Sequence, residues 1–166
     1  MKWIISNGGP LIFSSKKSAE HWKGTAGSSL KKKETDYERA CAIYDYIDVI
    51  VSGKDDVAVL GDEPMQSKIF KDKERIFIAR WEYCKSEDLA DDVLKNLPKD
   101  LNIISNDKFM RLLGGELIIF DSALSFSEIE IDPTPSVEEG IYRITTEAYK
   151  LEKEYSFIIH MLIKTS

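Results

Sequence analysis

Histidine and cysteine are scarce in this 166-residue chain, with two of each. His21 lies in a polar stretch and His160 in an apolar run near the end. Two histidines without clustered cysteines offer no transition-metal ligand set, so neither metal nor other cofactor is expected. Cys41 and Cys84 are too few for a disulfide framework. They read as two half-buried thiols in a reduced compartment, with a single bridge between them left open. No run approaches the roughly 18 to 20 apolar residues of a membrane span. Only Trp3, Ile4 and Ile5 precede polar Ser6 and Asn7, too short a stretch for a signal-peptide core. The expectation is a cytoplasmic protein whose fold begins at its N-terminus, with no leader and no membrane contact. Phosphate-binding signatures are missing too, since neither GxGxxG nor GxxxxGK[ST] occurs. Gly8-Gly9-Pro10 and Gly114-Gly115 adjoin apolar runs, where a turn or a helix stop explains them. No GxSxG elbow marks a nucleophile, and Cys84, on a strand after Trp81 and Tyr83, reads as core.

What is present describes a foldable domain. Hydrophobic residues make up 43% of the chain, enough for a core and far from disordered composition. The length fits a single domain over residues 1–166. Trp3, Ile4, Ile5 and Ser6, then Leu11, Ile12 and Phe13, read as strands around a Gly-Gly-Pro turn in which Gly8 or Gly9 takes a positive φ. Trp3, Gly8, Gly9 and Pro10 are expected to serve the fold, with Trp3 buried. Residues 24–29 look like a flexible loop that Trp22 pins to the body. Thr35-Asp36-Tyr37-Glu38 fits a capping box opening a short helix. Ile47, Val49 and Val51 alternate as a strand, with a hairpin return at Val57 to Leu60. Ile69 and Phe70, then residues 75–83, form a second hairpin. Ser86 caps a helix whose stripe is Leu89, Ala90, Val93, Leu94 and Leu97, ended by Pro98. Residues 107–113 read as a shorter helix stopped by Gly114. Residues 117–120 are a buried strand, and Ile129 and Ile131 mark a weaker one. Residues 140–149 and 155–164 make a long hairpin. About eight to ten strands following one another predict an α+β fold, mainly antiparallel sheet with two or three short helices.

Charge is the remaining lead. The net charge of −6 disfavours nucleic-acid binding, which rests on cations neutralising phosphates; it is compatible with a basic partner, though mild acidity that aids solubility explains it better. Six lysines between residues 16 and 33, with Trp22 among them, invite a single-strand-binding reading; a solvated loop in an otherwise acidic chain explains them better. Asp62 and Glu63, between Gly61 and Pro64, are the sharpest acidic pair and the alternative acidic site for a carboxylate enzyme. Turn chemistry or a surface contact accounts for them better. Asp88, Asp91 and Asp92 lack calcium-loop spacing. Residues 112–142 carry Glu116, Asp121, Glu128, Glu130, Asp132, Glu138 and Glu139, with no lysine or arginine until Arg143. Apolar Phe126, Ile129, Ile131 and Val137 are interleaved. Acids among apolar residues suit recognition of a basic protein surface, or a merely solvated edge. Glu128, Glu130, Asp132, Glu138 and Glu139 are the binding candidates.

Several segments occur in a telling order: Trp3-Ile4-Ile5-Ser6 with Gly8-Gly9-Pro10-Leu11, Asp36-Tyr37-Glu38-Arg39-Ala40-Cys41, Leu60-Gly61-Asp62-Glu63-Pro64, Arg80-Trp81, and Gly140-Ile141-Tyr142-Arg143. Together they resemble the immunity protein 21 family of bacterial polymorphic-toxin systems, most closely over residues 3–83. The resemblance implies a cytoplasmic antidote that binds a cognate toxin domain encoded by a neighbouring gene. It implies no catalytic residues. A small non-catalytic binding or regulatory domain with another partner is the alternative. The oligomeric state is not read from the sequence.

Overall fold

The computed structural model describes residues 2–27, 34–61, 63–72 and 75–165. Among them the chain forms eleven strands and three α-helices. In order these are β1 (Leu11–Ser15), α1 (Lys16–Ala19), α2 (Asp36–Cys41), β2 (Asp48–Ser52), β3 (Asp55–Leu60), β4 (Ser67–Lys71), β5 (Ile76–Cys84) and α3 (Glu87–Lys95). There follow β6 (Asn102–Ile103), β7 (Lys108–Leu112), β8 (Gly115–Asp121), β9 (Ser136–Val137), β10 (Gly140–Leu151) and β11 (Tyr155–Lys164). The strands make two sheets, ordered β2-β3-β1-β8-β9 and β4-β5-β11-β10-β6, with β7 also pairing β10. Every pairing between these strands is antiparallel. The predicted antiparallel α+β character holds, with more sheet than expected.

Period-two alternation builds four layers. In β1, Leu11 and Phe13 face the second sheet and Ile12 faces the other way. The space between the sheets is filled by Leu11, Phe13, Leu60, Ile78, Met110, Ile144 and Leu162 among others. On the outer face of the first sheet, Ile12, Val57, Val59 and Phe120 pack under Ala19, Trp22 and Ala40. On the outer face of the second, Phe77, Ala79, Phe157 and Ile159 pack under Ala90, Leu94 and Leu97 of α3, with Trp3 beside them. The amphipathic stripe read for α3 therefore faces the sheet. Ser86 accepts the Leu89 N–H as its N-cap, and Thr35 and Glu38 form the predicted capping box of α2.

Six local expectations are corrected. Residues 107–113 hold strand β7, not a helix: Met110 and Leu112 are buried between the sheets, Phe109 and Arg111 point out, and the run pairs with β10. Gly114 and Gly115, at φ +74° and +83°, turn the chain from one sheet to the other. A Cβ on Gly114 would press the Glu139 nitrogen at 2.9 Å. Trp3 is buried as expected, but its segment contributes only one bridge, Ile4 with Ser67, rather than a strand. Neither Gly8 nor Gly9 has a positive φ; a Cβ on Gly9 would collide with the Ser122 hydroxyl, so close approach is what favours glycine there. Ile129 follows a 3-10 turn (Phe126–Glu128), and residues 129–131 join no ladder. Residues Gly24–Gly27 form a 3-10 turn tied to Ala123 through the Thr25 N–H, with residues 28–29 outside the described residues. Cys41 is exposed, Cys84 buried, and both are free thiols rather than half-buried ones.

Candidate functional site

The segments that stand out in the sequence meet in space. Trp3 packs edge-on against Trp81, ring centres 5.1 Å apart, and stacks near Phe157. The Trp3 indole donates to Asp91 of α3, and Lys68 closes the group with an ion pair to the same carboxylate. At the glycine turn, one Asp121 carboxylate oxygen accepts the backbone N–H groups of Asn7 and Gly8, while the Tyr37 hydroxyl donates to the Gly8 carbonyl. Pro10 passes the chain into β1, and its carbonyl accepts the Ser122 N–H. These contacts fit the expected scaffold role. They also border a surface groove of about 470 Å³ lined by residues 6–10, Cys41, Ile43 and Pro64.

Arg80 is the centre of the second cluster. It is fully buried on the inward face of β5. Its guanidinium donates to the carbonyls of Tyr46, Gly61 and Glu63 at 2.6–2.8 Å, fastening the loop that follows β3. The same loop holds the alternative acidic pair. Asp62 lies outside the described residues. The Glu63 side chain is exposed, and its backbone carbonyl is what Arg80 uses. Beside Arg80 lies His160, fully buried on β11, whose Nδ1 is 3.0 Å from the Thr146 hydroxyl across the ladder. Burial, and then the Arg80 charge, hold the His160 imidazole well below its ordinary pKa. Sequence reading placed Arg80 and His160 on strands correctly. It missed that both point inward and meet; their shared parity with Ile78 and Leu162 was the available signal.

The acidic candidates divide between two places. Glu130 pairs with Lys2 at 3.1 Å. That hydrogen bond, with the charges of Glu130 and Asp132, raises the Lys2 pKa. Glu128 accepts from the Ser125 hydroxyl and N–H, which lower its pKa. Glu138 pairs with Lys164 at 2.6 Å, which lowers its pKa, and Glu139 pairs with Arg111 at 2.6 Å. Residues 112–142 contain no cation of their own, but the fold supplies cations from the N-terminus, β7 and β11. These pairs are solvent-exposed and add little stability. Behind residues 129–132 lies an isoleucine-lined cavity of about 20 Å³, room for about one water.

Among the described residues no group of three or more histidine, cysteine, aspartate or glutamate side chains could hold a metal ion. No helix among them is long and apolar enough to cross a membrane. What the surface offers is grooves, exposed apolar side chains and dispersed carboxylates. The chain belongs to the immunity protein 21 family, whose model matches residues 2–154. No curated protein and no solved structure gives a significant match.

Proposed function

We propose that this protein is a cytoplasmic immunity protein that binds and neutralises a cognate toxin domain encoded by a neighbouring gene, by surface contact and without catalysis of its own. The observation that carries the reading is the family match over residues 2–154. The exposed carboxylates Glu128, Glu130, Glu138 and Glu139, with half-buried Asp132, support it as groups able to meet a basic partner. The rigid two-sheet body suits an inhibitor that caps an active site or locks a conformation, because binding then costs little ordering entropy.

The test is co-expression and direct binding. Cells producing the neighbouring toxin domain should survive when this chain is present, and the purified pair should form a stable complex. No protection together with no complex would reject the reading for that pair.

A further inference from the structure

The outer face of the second sheet is only half covered. Helix α3 and Trp3 shield the part built by β4, β5 and the middle of β11. The other part, where β7, β10 and β11 run side by side, has no element over it among the described residues. Antiparallel register places Arg143 of β10 opposite Phe109 of β7 and Ile163 of β11. Two residues earlier on β10, on the same face, Ile141 sits opposite Arg111. Directly opposed side chains lie about 5 Å apart and diagonal ones about 7 to 8 Å. Phe109, Ile141 and Ile163 therefore sit at diagonal positions of one face, alternating with Arg111 and Arg143. They are 57%, 45% and 37% exposed. Single exposed apolar residues need no explanation, but three at neighbouring positions of one sheet face do.

The charges around this patch indicate what would cover it. Its arginines are engaged with carboxylates, Arg143 with Asp107 and Arg111 with Glu139, while Lys164, on the other face of β11, pairs with Glu138. The Asp56 carboxylate is drawn in beside Arg111, accepting its backbone N–H, and Glu147 lies farther along the same face of β10. The rim is left with carboxylates in excess, on a chain of net charge −6. A two-fold dimer through this face would set one negative rim against another. An apolar centre in a negative rim instead fits a partner with an apolar projection ringed by lysine or arginine.

Resting on the toxin-binding reading, we propose that the Phe109–Ile141–Ile163 face is the anchor of the complex. It receives an apolar projection from a basic surface of the cognate toxin domain, with Glu139 at its edge. Aromatic and aliphatic anchors at the centre of a desolvated patch carry most of the affinity of such interfaces, and the polar rim excludes water. Of the charged candidates, Glu139 is then at the border of the site rather than its centre.

The experiment compares wild type with Phe109→Thr, Ile141→Thr, Ile163→Thr and their triple combination, using purified neighbouring toxin domain. Threonine keeps strand propensity while removing apolar area. Val51→Thr, an exposed change on β2 of the other sheet, is the control. Phe109→Thr should weaken binding about tenfold or more, chiefly through faster dissociation, with Val51→Thr unchanged. If Phe109→Thr does not fold, hydroxyl-radical footprinting of the wild-type complex decides: Phe109 should lose reactivity on binding. Wild-type binding with an equally tight triple variant, or undiminished Phe109 reactivity in the complex, overturns the anchor while the toxin reading stands. Absence of wild-type binding overturns both. A dimer of the free chain that Phe109→Thr abolishes assigns the face to a second copy and also overturns the proposal.

Discussion

At the scale of single residues, the interior carries two polar groups that an apolar core would not need, Arg80 and His160. Arg80 is held by backbone carbonyls from the segments that lead into β2 and out of β3, two strands of the opposite sheet. It therefore ties the two sheets together, where three carbonyl oxygens would otherwise seek partners in a dry space. His160 is held toward its neutral form there, first because burial disfavours a charged imidazole and then because of the Arg80 charge. Its folded pKa lies below its unfolded value, so its contribution to stability is complete above about pH 6.5 and is lost as pH falls from there through the folded pKa. Once the unfolded imidazole is fully protonated, stability should fall by about 1.4 kcal/mol per pH unit from this group. His160→Gln keeps a partner for Thr146 but does not titrate. Urea unfolding between about pH 5 and 6.5, above the range of ordinary carboxylates, should show a clear slope in wild type and a flatter one in the variant. Equal slopes would mean that His160 is not the group responsible.

At the scale of elements, legibility followed how far local and tertiary demands agreed. Helix α3 was readable because its cap, acidic first turn, apolar stripe and terminating proline all point the same way. The β4–β5 and β10–β11 hairpins were readable from alternation. Strand β7 was not, because Lys108, Met110, Arg111 and Leu112 have good helix propensity. Pairing with β10 overrode that propensity by burying Met110 and Leu112. The error hid Phe109 and Arg111, and with them the exposed face. The charged half of the surface was legible as composition; the pairing of its acids with Lys2, Arg111 and Lys164 was not, since those cations lie far away in sequence. The packing of α3 gives a stability test. Leu94 is fully buried against β5 and β11, so Leu94→Ala should cost about 2–5 kcal/mol through lost burial and a residual cavity. Chemical denaturation with an unchanged slope against denaturant would measure it. A loss below about 0.5 kcal/mol, typical of surface changes, would contradict this packing.

At the scale of the molecule, charge acts on encounter more than on holding. The chain carries a net charge of −6, and Glu128, which ends the 3-10 turn, and Glu130 project outward beside half-buried Asp132. Their neighbour Lys2 neutralises only part of that charge. Against a basic toxin domain such a surface accelerates association by long-range attraction, while the apolar contacts set how slowly the complex dissociates. Changing Glu128, Glu130 and Asp132 together to lysine should therefore slow association and leave dissociation nearly constant. The fold should tolerate it, because the Glu130 pair is exposed and the Glu128 contacts are local capping bonds to Ser125. The difference in association rate should shrink as ionic strength rises, since the screening length falls from about 10 Å at 0.1 M to about 3 Å at 1 M. Stopped-flow association at low and high salt, with melting measured on the same samples, tests the whole statement. A triple variant that associates as fast as wild type at low salt would remove these carboxylates from the encounter surface. A variant that instead dissociates faster at every salt would make them part of the packed interface.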